Sequence, residues 1–362
     1  MKSNLVTALC LFTSALAPGR IRRTTMAFAG CAGLLAPALG NAANVPPSTN
    51  LTLINGWTNG AFGAANASVS TVDGIVRFQG AISGGTDPEV FVLPDAFRPA
   101  STVYVKVDLC DAANGRLQIN PDGTTYVQAE ENFTDAQCFT SLDGATFALA
   151  PGTFKQLKLR NGWKAYGFGT ARPAADDLAT VHLAGAMKTK KTDTNPFTLP
   201  KKLRPTSAVY VPVDMCNATN GRLNIDSSGV VNVQAETDFG NAQCFTSLDG
   251  VTFATNSKGF TALTLINGWT NAPFSTRNAA VRVTSDVVHF EGAIATTGTN
   301  AVPFVLPSGF RPAHPVWIPV DLCAGTNGRL DIATDGTVTV EAETDFGNAQ
   351  CFTSLEGALF HL

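Results

Sequence analysis

The sequence predicts an all-β fold made of three tandem antiparallel β-sandwich domains, jelly-roll-like, each with one disulfide. Three observations support this prediction. One set of landmark residues occurs three times in the same order along the chain. Apolar and polar residues alternate within each copy, which is typical of half-buried strands. Turn sequences separate the alternating runs, and short strands between turn signals favour a sandwich.

The repeat predicts the domain boundaries. Each copy begins with Asn-Gly-Trp and ends with Ala-Gln-Cys-Phe-Thr-Ser-Leu, which predicts modules over residues 50–149, 157–254 and 262–362. The first cysteine of each module recurs after 106 and then 107 residues. This repeat is longer than the roughly 20–50 residues of a solenoid unit and fits a small domain with its own core. The stretches 150–156 and 255–261 lack an apolar pattern, so we predict short linkers there.

Within the first module, the period-two pattern predicts strands over residues 75–82, 102–107, 117–119 and 125–129. Three dipeptides are predicted to supply the positive φ of tight hairpins: Asp73-Gly74, Asn114-Gly115 and Asp122-Gly123. No segment shows helical periodicity. Seven to eight short strands are therefore expected in each module.

Residues 1–43 contain no acidic residue and have the composition of an export signal. Arginines precede the apolar run 26–39, and Gly40-Asn41-Ala42 has the small-x-small pattern of a cleavage site. A membrane anchor is the first alternative, but the run is shorter than the roughly 20 residues of a span. A lipoprotein signal ending at Cys31 is the second. We expect a secreted or surface-displayed bacterial protein whose mature chain lacks a membrane span.

The six cysteines beyond residue 43 form three pairs, each separated by 28 residues. An even number at fixed spacing in an exported chain predicts disulfides, whereas zinc sites usually show closely spaced Cys or His pairs. Each bridge would contribute roughly 3–4 kcal/mol by constraining the unfolded chain. The predicted pairs are Cys110–Cys138, Cys216–Cys244 and Cys323–Cys351.

The net charge of the chain limits the classes of partner that it can bind. Beyond residue 43 the chain has 21 basic and 28 acidic residues, a net charge of −7. Nucleic-acid binding is not expected, because it requires clustered basic side chains along a phosphate backbone. The one basic cluster, Lys188, Lys190 and Lys191, is interpreted as a solvated loop.

The repeated motifs resemble the β-rich receptor-binding or tip modules of bacteriophage tail fibres and minor tail proteins. The resemblance is clearest in the third module, over residues 304–312 (Phe-x-Leu-Pro-x-Gly-Phe-Arg-Pro) and 328–340. It implies a β-sandwich that binds glycans or proteins on a cell surface and often works as a trimer. The export signal, the disulfides and the three copies in one chain depart from that pattern and favour a secreted bacterial protein.

Catalysis is not expected, because no repeated Ser, His and Asp set can be assembled. Asp108 and Glu130 recur in all modules and could serve a glycosidase if their carboxyl groups lay about 5–10 Å apart. The alternative is that the Asp108 column neutralises the recurring arginines at 98 or 116 and that Glu130 ends a strand. We expect neither cofactor nor metal, because a hairpin turn explains Asp122-Gly123 without a calcium ion.

Aromatic residues give the candidate binding site. Trp57, Trp163 and Trp269 occupy one column beside an apolar strand, which indicates core positions more than sugar-stacking platforms. The loop after each tryptophan varies in sequence yet keeps an aromatic residue, as expected of a scaffold that changes its binding loops. The candidate ligand-binding residues are Phe62, Tyr166, Phe168 and Phe274.

We therefore expect a non-catalytic binding or adhesion protein that recognises a glycan or a cell-surface protein. A structural component of an extracellular layer, appendage or phage-tail-like particle is the alternative, and a glycoside hydrolase is the third. The eight residue steps across a linker, such as from residue 149 to residue 157, span at most about 26–29 Å. This is less than the roughly 35 Å width of a domain, so neighbouring modules must touch or nearly touch. Of a linear stack and an intramolecular pseudo-trimer formed by a monomer, we favour the pseudo-trimer.

Overall fold

The computed structural model describes residues 48–177 and 180–362, so the predicted export signal lies outside the described residues. The fold class is confirmed. The described chain is mainly antiparallel β-structure in three repeated units, and each unit contains one disulfide. The bridges are Cys110–Cys138, Cys216–Cys244 and Cys323–Cys351, as predicted. No helix in the described ranges is both long and apolar enough to cross a bilayer.

The strands of the first unit are β1 (Thr49–Asn50), β2 (Thr58–Asn59), β3 (Ser68–Val72), β4 (Ile75–Gln79), β5 (Ala81–Ser83), β6 (Glu89–Val92), β7 (Val103–Asp108), β8 (Asn114–Ile119), β9 (Thr124–Ala129), β10 (Thr140–Ser141) and β11 (Thr146–Ala148). Those of the second unit are β12 (Lys155–Gln156), β13 (Lys164–Ala165), β14 (Ala174–Asp177), β15 (Val181–Ala184), β16 (Ala186–Lys188), β17 (Val209–Asp214), β18 (Asn220–Ile225), β19 (Val231–Ala235), β20 (Thr246–Ser247) and β21 (Thr252–Phe253). Those of the third unit are β22 (Thr261–Ala262), β23 (Thr270–Asn271), β24 (Ala280–Thr284), β25 (Val287–Glu291), β26 (Ala293–Ala295), β27 (Phe304–Val305), β28 (Val316–Asp321), β29 (Asn327–Ile332), β30 (Thr337–Ala342), β31 (Thr353–Ser354) and β32 (Leu359–His361).

Each unit folds into the same three antiparallel sheets. In the first unit their strand orders are β1-β3-β4-β11, β2-β5-β10 and β6-β9-β8-β7. The two other units repeat this arrangement, except that the third sheet of the second unit has the order β17-β18-β19. Each unit has its own apolar core, built from the inward-facing residues of these strands.

One short helix in each unit follows the third sheet: α1 (Phe133–Cys138), α2 (Phe239–Cys244) and α3 (Phe346–Cys351). These helices were not predicted from the sequence. Six residues make fewer than two turns, so a 3.6-residue period cannot show in the apolar pattern. Each helix ends on the second cysteine of its unit and brings it to the first.

The predicted strand over 75–82 is divided at Gly80, which has a φ of 93°. A Cβ atom at this position would lie 2.4 Å from the carbonyl oxygen of Ala65, so only glycine fits. Gly185 and Gly292 make the same break in the other units. The strand therefore changes sheet here, with β4 in one sheet and β5 in another.

The predicted turn at Asn114-Gly115 is wrong. Asn114 is the first residue of β8 and pairs with Asp108 of β7. The chain reverses earlier, where Asp111 and Ala112 both adopt left-handed φ values of 56° and 59°. Asp73-Gly74 does form a tight turn, with both residues at positive φ.

The tryptophan prediction is confirmed. Trp57, Trp163 and Trp269 are 5%, 3% and 5% exposed and belong to the three cores. The indole N–H of Trp57 donates to the carbonyl oxygen of Asp87 at 2.8 Å, and the other two tryptophans make the equivalent bond. These rings are therefore structural.

The first predicted linker is packed rather than loose. Phe154 is buried against Ile75 of the first unit and Ala184 of the second. Lys155–Gln156 pairs with β14 as an edge strand. The connection thus joins two units through apolar contact.

The three units lie side by side about a pseudo-threefold axis. Strands β7, β17 and β28 contact one another in all three pairings. An arginine of each unit reaches a buried aspartate of the next, and the third unit returns to the first. The ion pairs are Arg116–Asp214 at 3.0 Å, Arg222–Asp321 at 3.0 Å and Arg329–Asp108 at 3.1 Å. The Asp108 column thus neutralises the Arg116 column, but across the unit boundary.

Two further sets of hydrogen bonds repeat around the axis. An asparagine Nδ2 of each unit donates to a turn carbonyl of the next: Asn114 to Ala218, Asn220 to Gly325 and Asn327 to Ala112. A serine hydroxyl donates to a strand carbonyl of the preceding unit: Ser141 to Trp317, Ser247 to Tyr104 and Ser354 to Tyr210. Every junction therefore uses the same polar contacts.

One side chain breaks the symmetry. The position held by Lys106 in β7 is proline in the other units, at Pro212 and Pro319. Lys106 is buried, and its ammonium group donates to the Oδ1 atoms of Asn114 and Asn220. Burial lowers the pKa of Lys106, while the surrounding acidic side chains oppose this effect.

Two buried carboxyl groups lack a cation partner in the part of the chain that the structure describes. Asp143 Oδ1 accepts from the Gly80 N–H at 3.1 Å, and Asp249 Oδ1 accepts from the Gly185 N–H at 2.8 Å. Their Oδ2 atoms have no hydrogen-bond partner there. Burial raises the pKa of each carboxyl to about 7.

The ring of ion pairs predicts that R222A destabilises the protein by about 3–5 kcal/mol, because it removes the cation that pairs with the buried Asp321 carboxyl and the hydrogen bonds that Arg222 donates to Leu322 and Gln234. Chemical denaturation measures this loss. As a control, D95A removes the ion pair of Arg98 with Asp95, whose side chain is 90% exposed. It should cost about 1 kcal/mol or less. Equal effects of the two variants would contradict a stabilising ring.

The buried carboxyls predict a pH dependence. The folded-state pKa of about 7 for Asp143 and Asp249 lies above the ordinary value of 3.8. Their stabilising contribution is therefore full at low pH and is lost as the pH rises through about 7. The neutral variant D143N/D249N should match the unchanged protein near pH 4. Its relative stability should then rise by at most about 1.4 kcal/mol per pH unit per group up to about pH 7 and stay constant at higher pH.

Denaturation at several pH values tests this difference. The control D122N removes an exposed carboxyl whose pKa is lowered by its hydrogen bonds to Thr124. This variant should gain no stability at alkaline pH. A D143N/D249N difference that stays constant across the pH range would show that these carboxyls do not titrate between pH 4 and 7.

Candidate functional site

Three of the four candidate binding residues are the most exposed large apolar side chains among the described residues. Phe62 is 68% exposed, Phe168 is 79% exposed and Phe274 is 60% exposed. The three positions are equivalent, each lying five residues after the buried tryptophan of its unit. Tyr166 is half-buried beside Phe168. The loops that follow the tryptophans thus present aromatic rings to solvent.

The backbone at these phenylalanines is strained in the same way. Their φ values are 54°, 50° and 54° for Phe62, Phe168 and Phe274. A bulky residue in the left-handed region is a conformational outlier that costs of order 1–3 kcal/mol. Exposed rings recover little of this cost by burial. Core packing therefore does not explain why the conformation occurs in all three units.

Each exposed phenylalanine lies at a junction between two units. Phe62 packs edge-on against Phe139 with ring centroids 5.5 Å apart. Phe139 packs against Trp317 of the third unit at 5.0 Å. Together with Arg329, these rings line a cleft of about 180 Å³. We call it the third junction cleft, because it lies between the third unit and the first.

The two other junctions have equivalent aromatic clusters, and we call these clusters the first and second junction clefts by analogy with the third. In the second junction cleft, Phe274 packs on Phe352 at 5.7 Å, and Phe352 packs on Tyr210 at 4.9 Å. In the first, Tyr166 packs on Phe245 at 4.7 Å and Phe245 on Tyr104 at 5.0 Å, with Phe168 against Tyr166 at 5.2 Å.

Guanidinium groups border the clefts. The Arg116 guanidinium lies 4.8 Å from the ring centroid of Tyr104, and that of Arg222 lies 5.0 Å from that of Tyr210. Both arginines are held by the ion pairs of the axis, so their orientation is fixed. Burial raises the pKa of the Tyr104 hydroxyl, which keeps it a neutral donor. Each cleft therefore combines flat apolar faces with fixed polar groups.

The half of each cleft that comes from the preceding unit was not predicted from the sequence. The strand aromatics Tyr104, Tyr210 and Trp317 come from the preceding unit. The sequence does hold a signal, since this column of the third sheet is aromatic in every copy. This aromatic column could be assigned to the clefts only once the side-by-side arrangement of the units was known.

The acidic residues considered for glycosidase chemistry take part in the unit junctions. Asp108 Oδ2 accepts from Arg329, and Glu130 Oε2 accepts from Asn114 at 2.9 Å. The predicted turn at Asp122 is confirmed, with its carboxylate accepting from the Thr124 N–H. In the described ranges, no group of three or more His, Cys, Asp or Glu side chains is arranged to hold a metal ion.

No family model, curated protein or solved structure matches this chain.

The exposure of the loop aromatics predicts the effect of replacing them on stability. The triple variant F62N/F168N/F274N should unfold within about 1 kcal/mol of the unchanged protein or be more stable, because asparagine tolerates the left-handed region better. F78A is the control, since Phe78 is 1% exposed. It should lose about 3–5 kcal/mol in thermal or chemical denaturation. A triple variant as unstable as F78A would assign these rings to the core.

Proposed function

We propose that this chain is a secreted or surface-displayed, non-catalytic binding protein that recognises a cell-surface glycan through its three junction clefts. The observation that carries the proposal is the exposed, strained phenylalanine at the same place in every unit, above a cluster of aromatic rings. Strained residues concentrate at binding sites, where the surrounding structure holds them.

The chemistry of the clefts fits a sugar. A pyranose ring has an apolar face that packs on aromatic side chains and hydroxyls that bond to fixed polar groups. The clefts supply both, with rings from two units and guanidinium groups at the edge. Variable loops on a constant scaffold are also the usual location of binding residues.

Three binding sites on one molecule suit a cell surface on which the same glycan is repeated. Once one cleft is occupied, the other two meet neighbouring sugars at a high effective concentration, which raises avidity by about 10²–10⁴ over a single site. The resembled phage modules often reach this arrangement with three chains. In our proposal one polypeptide provides it.

The disulfides support an extracellular location. Disulfides form and persist in oxidising compartments, and each unit here contains one. The predicted signal over residues 1–43 accounts for export.

A glycan array tests the proposal. The purified protein should give saturable binding to a subset of glycans, and the affinity should be about 10²–10⁴ higher on a dense glycan surface than for the same free oligosaccharide. F62N/F168N/F274N should lose surface binding while remaining folded. The single variant F274N, which keeps two clefts, should be intermediate.

The structural-component alternative predicts a different outcome. A building block of a layer or appendage would show no saturable glycan and would assemble as its concentration rises in sedimentation experiments. Glycan binding that survives the triple variant would place the site elsewhere on the molecule.

A further inference from the structure

The second unit differs from its neighbours in charge. Residues 150–255 contain twelve basic and eight acidic residues, a net charge of +4. Residues 44–149 have a net charge of −7 and residues 256–362 one of −4. Eight of the ten lysines beyond residue 43 lie between Lys155 and Lys202. The pseudo-threefold molecule thus has one basic sector.

Four of these lysines surround one cleft. Lys164, Lys188, Lys190 and Lys191 line an open cleft of about 870 Å³ beside Gln243, and none of the described residues in its wall is acidic. We call it the lysine cleft. Lys164, Lys190 and Lys191 are exposed, so their ammonium groups are available to a ligand.

The equivalent positions of the other units carry no charge. Lys164 corresponds to Thr58 and Thr270, which occupy the same place after the buried tryptophan. Lys188 corresponds to Ser83 and Ala295. Because the fold is the same without lysines, their presence in the second unit is not a requirement of the fold.

Lys188 connects the lysine cleft to the first junction cleft. Its ammonium nitrogen lies 4.5 Å from the ring centroid of Phe168 and 5.1 Å from that of Tyr166. Cation–π contact of this kind holds a flexible lysine against the aromatic rings. The sequence-based interpretation as a solvated loop therefore does not describe Lys188, which is half-buried at the edge of the candidate site.

We propose that the first junction cleft and the lysine cleft together bind an anionic sugar residue, one that carries a carboxylate or a sulfate. This inference rests on the proposed glycan-binding function. The sugar ring packs on Phe168 and Tyr166, and its acidic group is held by Lys188 with Lys164 or Lys190. The other two junction clefts lack these lysines and take neutral sugars.

The charge of the rest of the molecule restricts the ligand. A long polyanion that extends beyond the second unit would meet the negatively charged first and third units, and like charges repel. A short acidic segment within a mixed glycan avoids this repulsion. An acidic sugar fits the surface better than a nucleic acid.

Calorimetric titration with three oligosaccharides of equal length tests the inference: one containing uronic acid, one sulfated and one neutral. At least one anionic oligosaccharide should bind about tenfold or more tightly than the neutral one, and the difference should shrink as salt rises. The variant K164Q/K188Q/K190Q/K191Q should bind the anionic and the neutral oligosaccharide equally. The carboxylate and sulfate arms show which acidic group is preferred.

The matched control removes the same charge elsewhere in the second unit. Lys155, Lys158, Lys201 and Lys202 are exposed and lie outside the lysine cleft. K155Q/K158Q/K201Q/K202Q should bind the anionic oligosaccharide within about twofold of the unchanged protein, since long-range charge is screened. Equal losses in both variants, or equally tight binding of a DNA fragment, would overturn a specific site.

The outcomes separate this inference from the proposed function. If the neutral and anionic oligosaccharides bind equally and F62N/F168N/F274N abolishes both, the glycan-binding proposal stands and the anionic preference is wrong. If none of the oligosaccharides binds and the glycan array also shows no binding, the proposed function itself is wrong. If anionic binding needs the lysines but not Phe168, tested as F168N, the stacked-sugar geometry is wrong.

Discussion

The closed ring of arginine–aspartate pairs is the interaction on which the arrangement of this molecule depends. Each aspartate is buried, and its cation comes from the preceding unit. Taking one unit away would leave a buried carboxylate without a cation at one boundary and an unpaired arginine at the other. Such uncompensated charges are strongly destabilising. The three apolar cores are separate, but the charges that lie between them belong to the whole ring.

A ring made from a single chain can hold what a ring of identical chains cannot. In a homotrimer, a lysine at the position of Lys106 would occur three times around the axis, and three buried ammonium groups would repel one another. Here the same column holds one lysine and two prolines. One cation then meets the asparagine oxygens of the axis, and the prolines fill the remaining space without adding charge. Because the three units belong to one polypeptide, their residues at the axis can differ. For the same reason, the lysine cleft can occur in only one unit.

Sequence reasoning reached the features that depend on local pattern. Alternation predicted the strands, cysteine spacing predicted the bridges, and the tryptophan column was correctly assigned to the core. It failed where a residue serves the neighbouring unit. Asn114-Gly115 has the sequence of a turn, yet Asn114 begins a strand and its side-chain amide donates to Ala218 of the next unit. The partner of Asp108 could not be identified, because Arg329 lies in a different copy of the repeat. Core residues and junction residues recur with the same period, so repetition alone cannot separate them.

Under the proposed glycan-binding function, the position of the clefts links ligand binding to the assembly of the three units. Every cleft takes rings from two units, so a ligand seated there contacts both and binds only the closed ring. A ligand that binds one state and not the other stabilises the state it binds. The strained phenylalanines fit this arrangement. The closed ring of three units holds in place the loops whose backbone keeps these residues in the left-handed region. The buried polar contacts of the axis join the units to one another, and they do not involve the surface loops that vary from unit to unit. Under the proposed function, substitutions in one cleft would change the ligand of that cleft without altering the contacts that close the ring of units.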